Sequence, residues 1–259
     1  MTDPTFEPLT RAPAYQAVAA QIKSEIFSGR IGQGSYLPTE IDLAEQLGVT
    51  RQTVREAIRL LENSGLVERG KQRRLRVARP SHTSVHASQA DALLLHGITC
   101  RELWEFELAF DPGIATLAAA YCSDDRPEGA EMLSRLRQNL RDTAEVLSDP
   151  EALVKVDVEF HALLAEATGN RAIQLARVPT TSIQFPAYSR VLGLIGTGKR
   201  LLEAHTRIVD AIGKGDAAEA AEWMTKHIRD FRSGCELAGL DFDAPVDRAA
   251  LPPPTAAPA

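Results

Sequence analysis

Cysteine is scarce in this chain of 259 residues: Cys100, Cys122 and Cys235 are odd in number and form no CxxC pair. No disulfide framework can be built from them, and free thiols in a reducing cytoplasm are the expectation. No apolar run reaches the ~18 residues of a membrane-spanning helix. The opening stretch MTDPTFEPLTRAPAYQ lacks the basic region and apolar core of a secretory leader. No GxSxG, P-loop or HExxH occurs, so the chain offers no familiar catalytic nucleophile or phosphate cradle, and no catalytic residue is assigned. What remains, at 44% hydrophobic and 25% charged residues, is the composition of a soluble globular protein with one large or two ordinary domains.

Charge is divided unevenly. Residues 1–80 carry 12 Lys+Arg against 9 Asp+Glu, a balance of +3, which leaves 17 against 26, or −9, for residues 81–259. Within 48–80 the split is 9 to 3. A basic module joined to an acidic one predicts that only the first meets a polyanion.

In the basic module, Tyr15, Val18, Ile22 and Ile26 fall on one face of a helix over 14–26. The loop IGQGSYLP follows, and Thr39 is placed to cap a short helix bearing Ile41, Leu43, Ala44 and Leu47. Gly48 closes it. Thr50 caps a third helix with Val54, Ala57, Ile58 and Leu61 on its apolar side and Arg51, Gln52, Arg55, Arg59 and Glu62 on the other. Two short strand-like runs, LVERG and RLRVA, then flank Lys71, Gln72, Arg73 and Arg74. An arginine face alone is commonly just solvated surface. With the turn glycine, the capping threonines and the basic hairpin it reads as a helix-turn-helix whose second helix enters a major groove, the hairpin lying as a wing over the phosphates.

The stretch AEQLGVTRQTVREAIRLLENSGLVER resembles the winged helix-turn-helix signature of the GntR family of bacterial regulators, over about Tyr15 to Val77. The resemblance implies that Thr50, Arg51, Thr53 and Arg55 meet operator DNA. Two positions depart from the pattern: Ile41 follows Glu40 where the family has arginine, and the wing reads KQRRLRV where the family has a glycine pair. Affinity should therefore survive better than the family's sequence preference.

Residues 80–90 lack any period and read as a linker between a DNA-binding domain at 10–79 and an all-α effector and dimerisation domain at 91–238; a tail at 239–259, ending LPPPTAAPA, reads as disordered. From Asp91 onward no strand-like alternation appears, so an antiparallel helical bundle is predicted. Leu103, Phe106, Phe110 and Ile114 fall at helical spacing, with a bend expected at Pro112 and breaks or kinks at Pro179 and Pro186. The fold class is thus mainly α.

Of six histidines, His82, His86 and His96 lie in or near the linker and read as solvated. The other three lie on apolar helix faces. His161 is four residues from Asp157 and shares its face. His205 and His227 each lie 11 residues from Asp216, in the turn between two helices, so an antiparallel fold-back brings their rings level. Each could be an ordinary core histidine. Three with a carboxylate can instead close around a divalent ion such as Zn²⁺ or Ni²⁺.

DVEFHALLAEATGN is similar to the DxxFHxxLxxASGN motif of the FCD ligand-binding domain of FadR-like GntR regulators, and EAHTRIVDAIGKGD and MTKHI match its two later histidine motifs, over about Arg101 to Phe231. The resemblance implies metal ligation by Asp157, His161, His205 and His227, a small organic acid as effector, a homodimer, and regulation of transcription from palindromic operator DNA, most often repression. One position departs. Where these domains carry an effector-binding arginine, this chain has Glu107. The effector would then be cationic or larger, or be held by another arginine, and its binding residues stay unassigned. A metal-ion sensor and a metal-dependent hydrolase with an accessory DNA-binding domain remain as alternatives.

Overall fold

The computed structural model describes residues 13–70, 74–78, 91–123, 126–194 and 197–247, with 178–182 and 184–189 described as backbone only. The linker, the wing residues Lys71 and Arg73, and His82 and His86 lie outside the described residues. The chain divides into two compact units, Met1–Val85 and His86–Ala259.

The first unit holds α1 (Ala14–Phe27), α2 (Glu40–Leu47), α3 (Arg51–Asn63) and a hairpin of β1 (Val67–Arg69) and β2 (Leu75–Val77). The helices start where the sequence supplies caps. Thr39 and Asp42 form a reciprocal capping box on α2, and the Thr50 hydroxyl accepts from the Thr53 amide at 3.2 Å on α3. Gly48, at φ 63°, provides the left-handed turn between them, which a β-carbon would strain. Val54, Ala57, Ile58 and Leu61 of α3 pack with Val18, Ile22, Leu43 and the hairpin residues Val67, Leu75 and Val77 as a separate core. The hairpin is antiparallel with Val67 opposite Val77, and residues 34–37 run beside β2 through bonds such as Leu37 N–H to Leu75 O.

The second unit is helical: α4 (Cys100–Ser123), α5 (Pro127–Glu145), α6 (Pro150–Glu166), α7 (Arg171–Leu192), α8 (Thr197–Lys214) and α9 (Ala217–Leu237). Gly215 at φ 71° and the N-cap Asp216 reverse the chain between α8 and α9. Helix α9 packs on α4 and α8, and α6 packs on α5 and α7. The core is Phe160, Leu164, Leu136, Ile208, Ile212, Met224 and the alanine-rich face of α4.

Three expectations are corrected. Helix α7 runs unbroken through Pro179 and Pro186. On α4, Leu103 and Ile114 are buried as expected, but Phe106 and Phe110 are half-buried, whereas Trp104, Glu107 and Asp111 are buried. Two carboxylates inside an apolar stripe were masked by the neighbouring aromatics. The segment 239–247, which composition assigned to a disordered tail, packs on the bundle. Phe242 O accepts from Arg101 N–H, Val246 N–H donates to Ile98 O, and the Phe242 ring meets Trp104 edge-on at 5.9 Å.

Candidate functional site

On α3, Arg51, Gln52, Arg55 and Arg59 are exposed and Thr53 is half-buried. The Thr50 hydroxyl is committed to the cap and lies 2.9 Å from the Thr53 hydroxyl. Gln52 donates to Glu56 at 3.1 Å, and Arg55 Nε donates to Glu40 Oε2 at 2.8 Å across to α2. Glu40 also lies 3.7 Å from Arg69, which pairs with Glu62 at 2.9 Å. This ladder fixes the angle at which Arg55 leaves the helix, so only part of its fork is available outward. In the wing, the Arg74 guanidinium lies 4.4 Å from the centre of the Tyr36 ring, a cation–π contact that holds it beside the hairpin.

In the bundle, Asp157 and His161 of α6, His205 of α8 and His227 of α9 each offer one ligand atom, and these atoms lie within 4.8 Å of one another. Periodicity explains how. Residues 157 and 161 are one turn apart, and the short turn at Asp216 sets the His205 and His227 rings 4.8 Å apart. Phe160, buried and stacked on His205 at 3.6 Å, fixes that ring. His161 Nδ1 lies 3.2 Å from Asp111 Oδ2 on α4, so the carboxylate orients the imidazole and turns Nε2 inward. There it faces His227 Nε2 at 3.3 Å.

The electrostatics favour the deprotonated forms of Asp157, His205 and His227. Burial, reinforced by His205 and His161, pushes His227 down to about 3. Burial also lowers His205. Burial works against ionisation of Asp157, but the surrounding imidazoles, His205 foremost, outweigh it and hold the carboxyl at about 2. Burial likewise opposes a charged His161, and Asp111 outweighs it, raising that imidazole. Both Asp157 oxygens and both His205 ring nitrogens are buried without a hydrogen-bond partner. His205 Nε2 comes within 3.3 Å of Asp157 Oδ1, yet without hydrogen-bond geometry. Buried polar atoms are normally satisfied, so this orphaned set fits an imidazole- and carboxylate-binding ion.

Two functional neighbours were not anticipated. Arg177 of α7, 1% exposed, donates to Glu107 at 2.9 Å and pairs with Asp111 at 2.8 Å. Glu107 and Asp111, one turn apart on an otherwise apolar stripe, were a signal in the sequence; nothing in RAIQLARVP marked their partner. Beside the cluster opens a small, partly open cavity, lined by Glu107, Asp157, His161, His227, Thr197 and Arg200 among others. Glu159 and Glu166, the other carboxylates of α6 near the cluster in sequence, take no part: the first is exposed and away from the cavity lining, and the second pairs with Arg135.

Comparison with known proteins fits this geometry. Residues 14–77 match the model for bacterial regulatory proteins of the gntR family, and residues 102–230 match the FCD domain. An HTH-type transcriptional repressor NanR from Cronobacter sakazakii is 30% identical over 227 residues, covering 85% of each chain. The chain belongs to the GntR family. Its FCD domain places it with the FadR-like members, and it is a DNA-binding transcriptional regulator rather than an enzyme. NanR of Escherichia coli K12 is 28% identical over 226 residues, covering 85% of this chain and 84% of its own. Among solved structures, Streptococcus agalactiae GntR superposes with a TM-score of 0.61 at 28% identity, covering 85% of this chain and 99% of that one. Among the described residues no helix is long and apolar enough to cross a membrane.

Proposed function

We propose that this GntR regulator is a cytoplasmic homodimeric repressor whose grip on palindromic operator DNA is controlled by a small molecule at a divalent-metal site in its FCD domain. The observation that carries the reading is the convergence of Asp157, His161, His205 and His227 beside a cavity, with the Asp157 oxygens and the His205 ring nitrogens buried and without a hydrogen-bond partner. The donor set suits Zn²⁺, Ni²⁺ or a similar ion. Such an ion supplies a Lewis-acid anchor for an effector oxygen. The chain's own residues do the rest: Asp111 orients His161, Phe160 fixes His205, and depressed basicity keeps His205 and His227 unprotonated. The cavity favours a small-molecule effector over sensing of the ion alone.

On the DNA side, Arg51, Gln52 and Arg55 face outward from α3, and Thr50 and Thr53 shape its N-terminal end against the phosphates. Lys71, Arg73 and Arg74 are assigned to the wing's phosphate contacts. One winged helix reaches too few phosphates for tight specific binding, which favours two-fold pairing on a palindrome.

Elemental analysis of protein purified without a histidine tag, followed by operator titration with and without chelator and metabolites, tests this. Close to one equivalent of metal and an operator affinity that responds to metabolites are expected. Protein that stays metal-free when offered Zn²⁺, Ni²⁺ or Mn²⁺ overturns the metal site. A response to chelator alone, with none to metabolites, shifts the reading to a metal sensor.

A further inference from the structure

The charges gathered around the cavity limit what can enter it. Glu107, Asp111 and Asp157 are buried to 2% exposure or less and bring three negative charges; Arg177, also buried, returns one. A divalent ion on the cluster returns two more, so with neutral imidazoles the site is balanced before any effector arrives. Arg200 and Asp230, which both line the cavity, lie 3.3 Å apart and cancel each other. A simple carboxylic acid entering this site would add an uncompensated negative charge in a desolvated place, which is costly.

Position sharpens the balance. Glu107 lines the cavity, whereas its partner Arg177 does not. The carboxylate therefore presents negative charge to a ligand while the guanidinium stands behind it. A carboxylate has about four acceptor positions. Glu107 can hold Arg177 and still accept from a donor in the cavity. Asp157, His161 and His227 of the cluster line the same cavity as Glu107, so one small molecule can meet both.

We infer that the effector is a small zwitterion of the amino-acid type, its acid oxygen directed to the metal cluster and its ammonium group to Glu107. This rests on the metal-site reading above. The test uses full-length, metal-analysed protein and matched pairs of 2-amino and 2-hydroxy acids: alanine with lactate, glutamate with 2-hydroxyglutarate, phenylalanine with phenyllactate. Each pair differs only in the group that would face Glu107. Calorimetric titration and thermal shift should show the amino member of at least one pair binding at least roughly tenfold tighter, the scale of one charged hydrogen bond. Glu107→Gln should shrink that ratio towards one. Equal or tighter binding by the hydroxy acids in the unaltered protein overturns the inference. So does the failure of every probe to bind protein shown to hold its metal. Failure to take up metal at all overturns the metal-site reading instead, and the two failures are told apart by the elemental analysis.

Discussion

Two arginine–carboxylate pairs in this molecule use the same chemistry in opposite surroundings. Arg55 and Glu40, on the DNA-reading module, are 54% and 19% exposed, whereas Arg177 and Glu107, inside the bundle, are 1% and 2% exposed. In water the first attraction is screened, and such pairs are worth at most about 1 kcal/mol. It directs a side chain and contributes little to stability. The second pair forms where each charge has lost its water, so either partner left alone is a severe fault. The surface pair can be edited freely and the buried one cannot, which suits a reader that must adapt to an operator and a pocket that must keep its charge balance.

The strongest way to break this contrast is Arg177→Met. It leaves Glu107 and Asp111 buried without their cation, and the bundle should lose about 3–5 kcal/mol in urea unfolding. A loss below about 1 kcal/mol would make the two pairs equivalent. Next in size is the removal of metal. A site saturated a thousandfold over its dissociation constant adds about 4 kcal/mol to the native state. Chelation should therefore lower the melting temperature of the bundle and leave that of the winged module unchanged, as followed by calorimetry. Asp157→Ala and His205→Ala should abolish the chelator effect.

Acid should act on the same site in the same sense. His227 has a folded value of about 3 against an ordinary 6.5. Between those values the unfolded chain binds the proton and the folded chain does not, so stability falls as pH drops from about 6.5 towards 3. His205, also lowered, adds to this, while the raised His161 opposes it. Metal affinity falls over the same acidic range, because a protonated imidazole cannot ligate.

Smaller effects belong to the surface. Arg51→Ala and Arg55→Ala should each weaken operator binding by about 1–3 kcal/mol in a mobility-shift titration, with melting temperature unchanged, while Arg137→Ala in the bundle should leave operator binding as it is. Glu40→Ala should be the mildest. It should cost less than about 1 kcal/mol of stability, and its effect on DNA binding should disappear in the Arg55→Ala background.

How much of this could be read beforehand depended on how local the signal was. The caps at Thr39 and Thr50, the stripe Val54, Ala57, Ile58 and Leu61, and the one-turn spacing of Asp157 and His161 are properties of single helices, and the sequence displays them. His205 and His227 needed one turn between two helices, still within reach of counting. Asp111 and Arg177 are 66 residues apart in the chain, and only the packing of α4 on α7 joins them. Periodicity cannot report a partner on another helix. It placed Leu103 and Ile114 correctly on α4 but failed between them, because Phe106 and Phe110 outweigh Trp104 and the two carboxylates in a simple apolar count.

Residues 239–247, beyond the end of α9, set where the protein can be shortened. Composition invites a cut at Ala238, ahead of the Pro- and Ala-rich end. That cut would remove Phe242, which is only 9% exposed, strip the cover from Trp104, and leave Arg101 without Asp243. The Trp104 indole donates to the Ile228 carbonyl, one residue beyond His227, so water admitted at this cap would arrive next to the ligand-bearing helix. The terminal segment behaves as a stopper for the bundle. A shortened form that keeps residues through 247 should retain the seal, and one ending at 238 should leak.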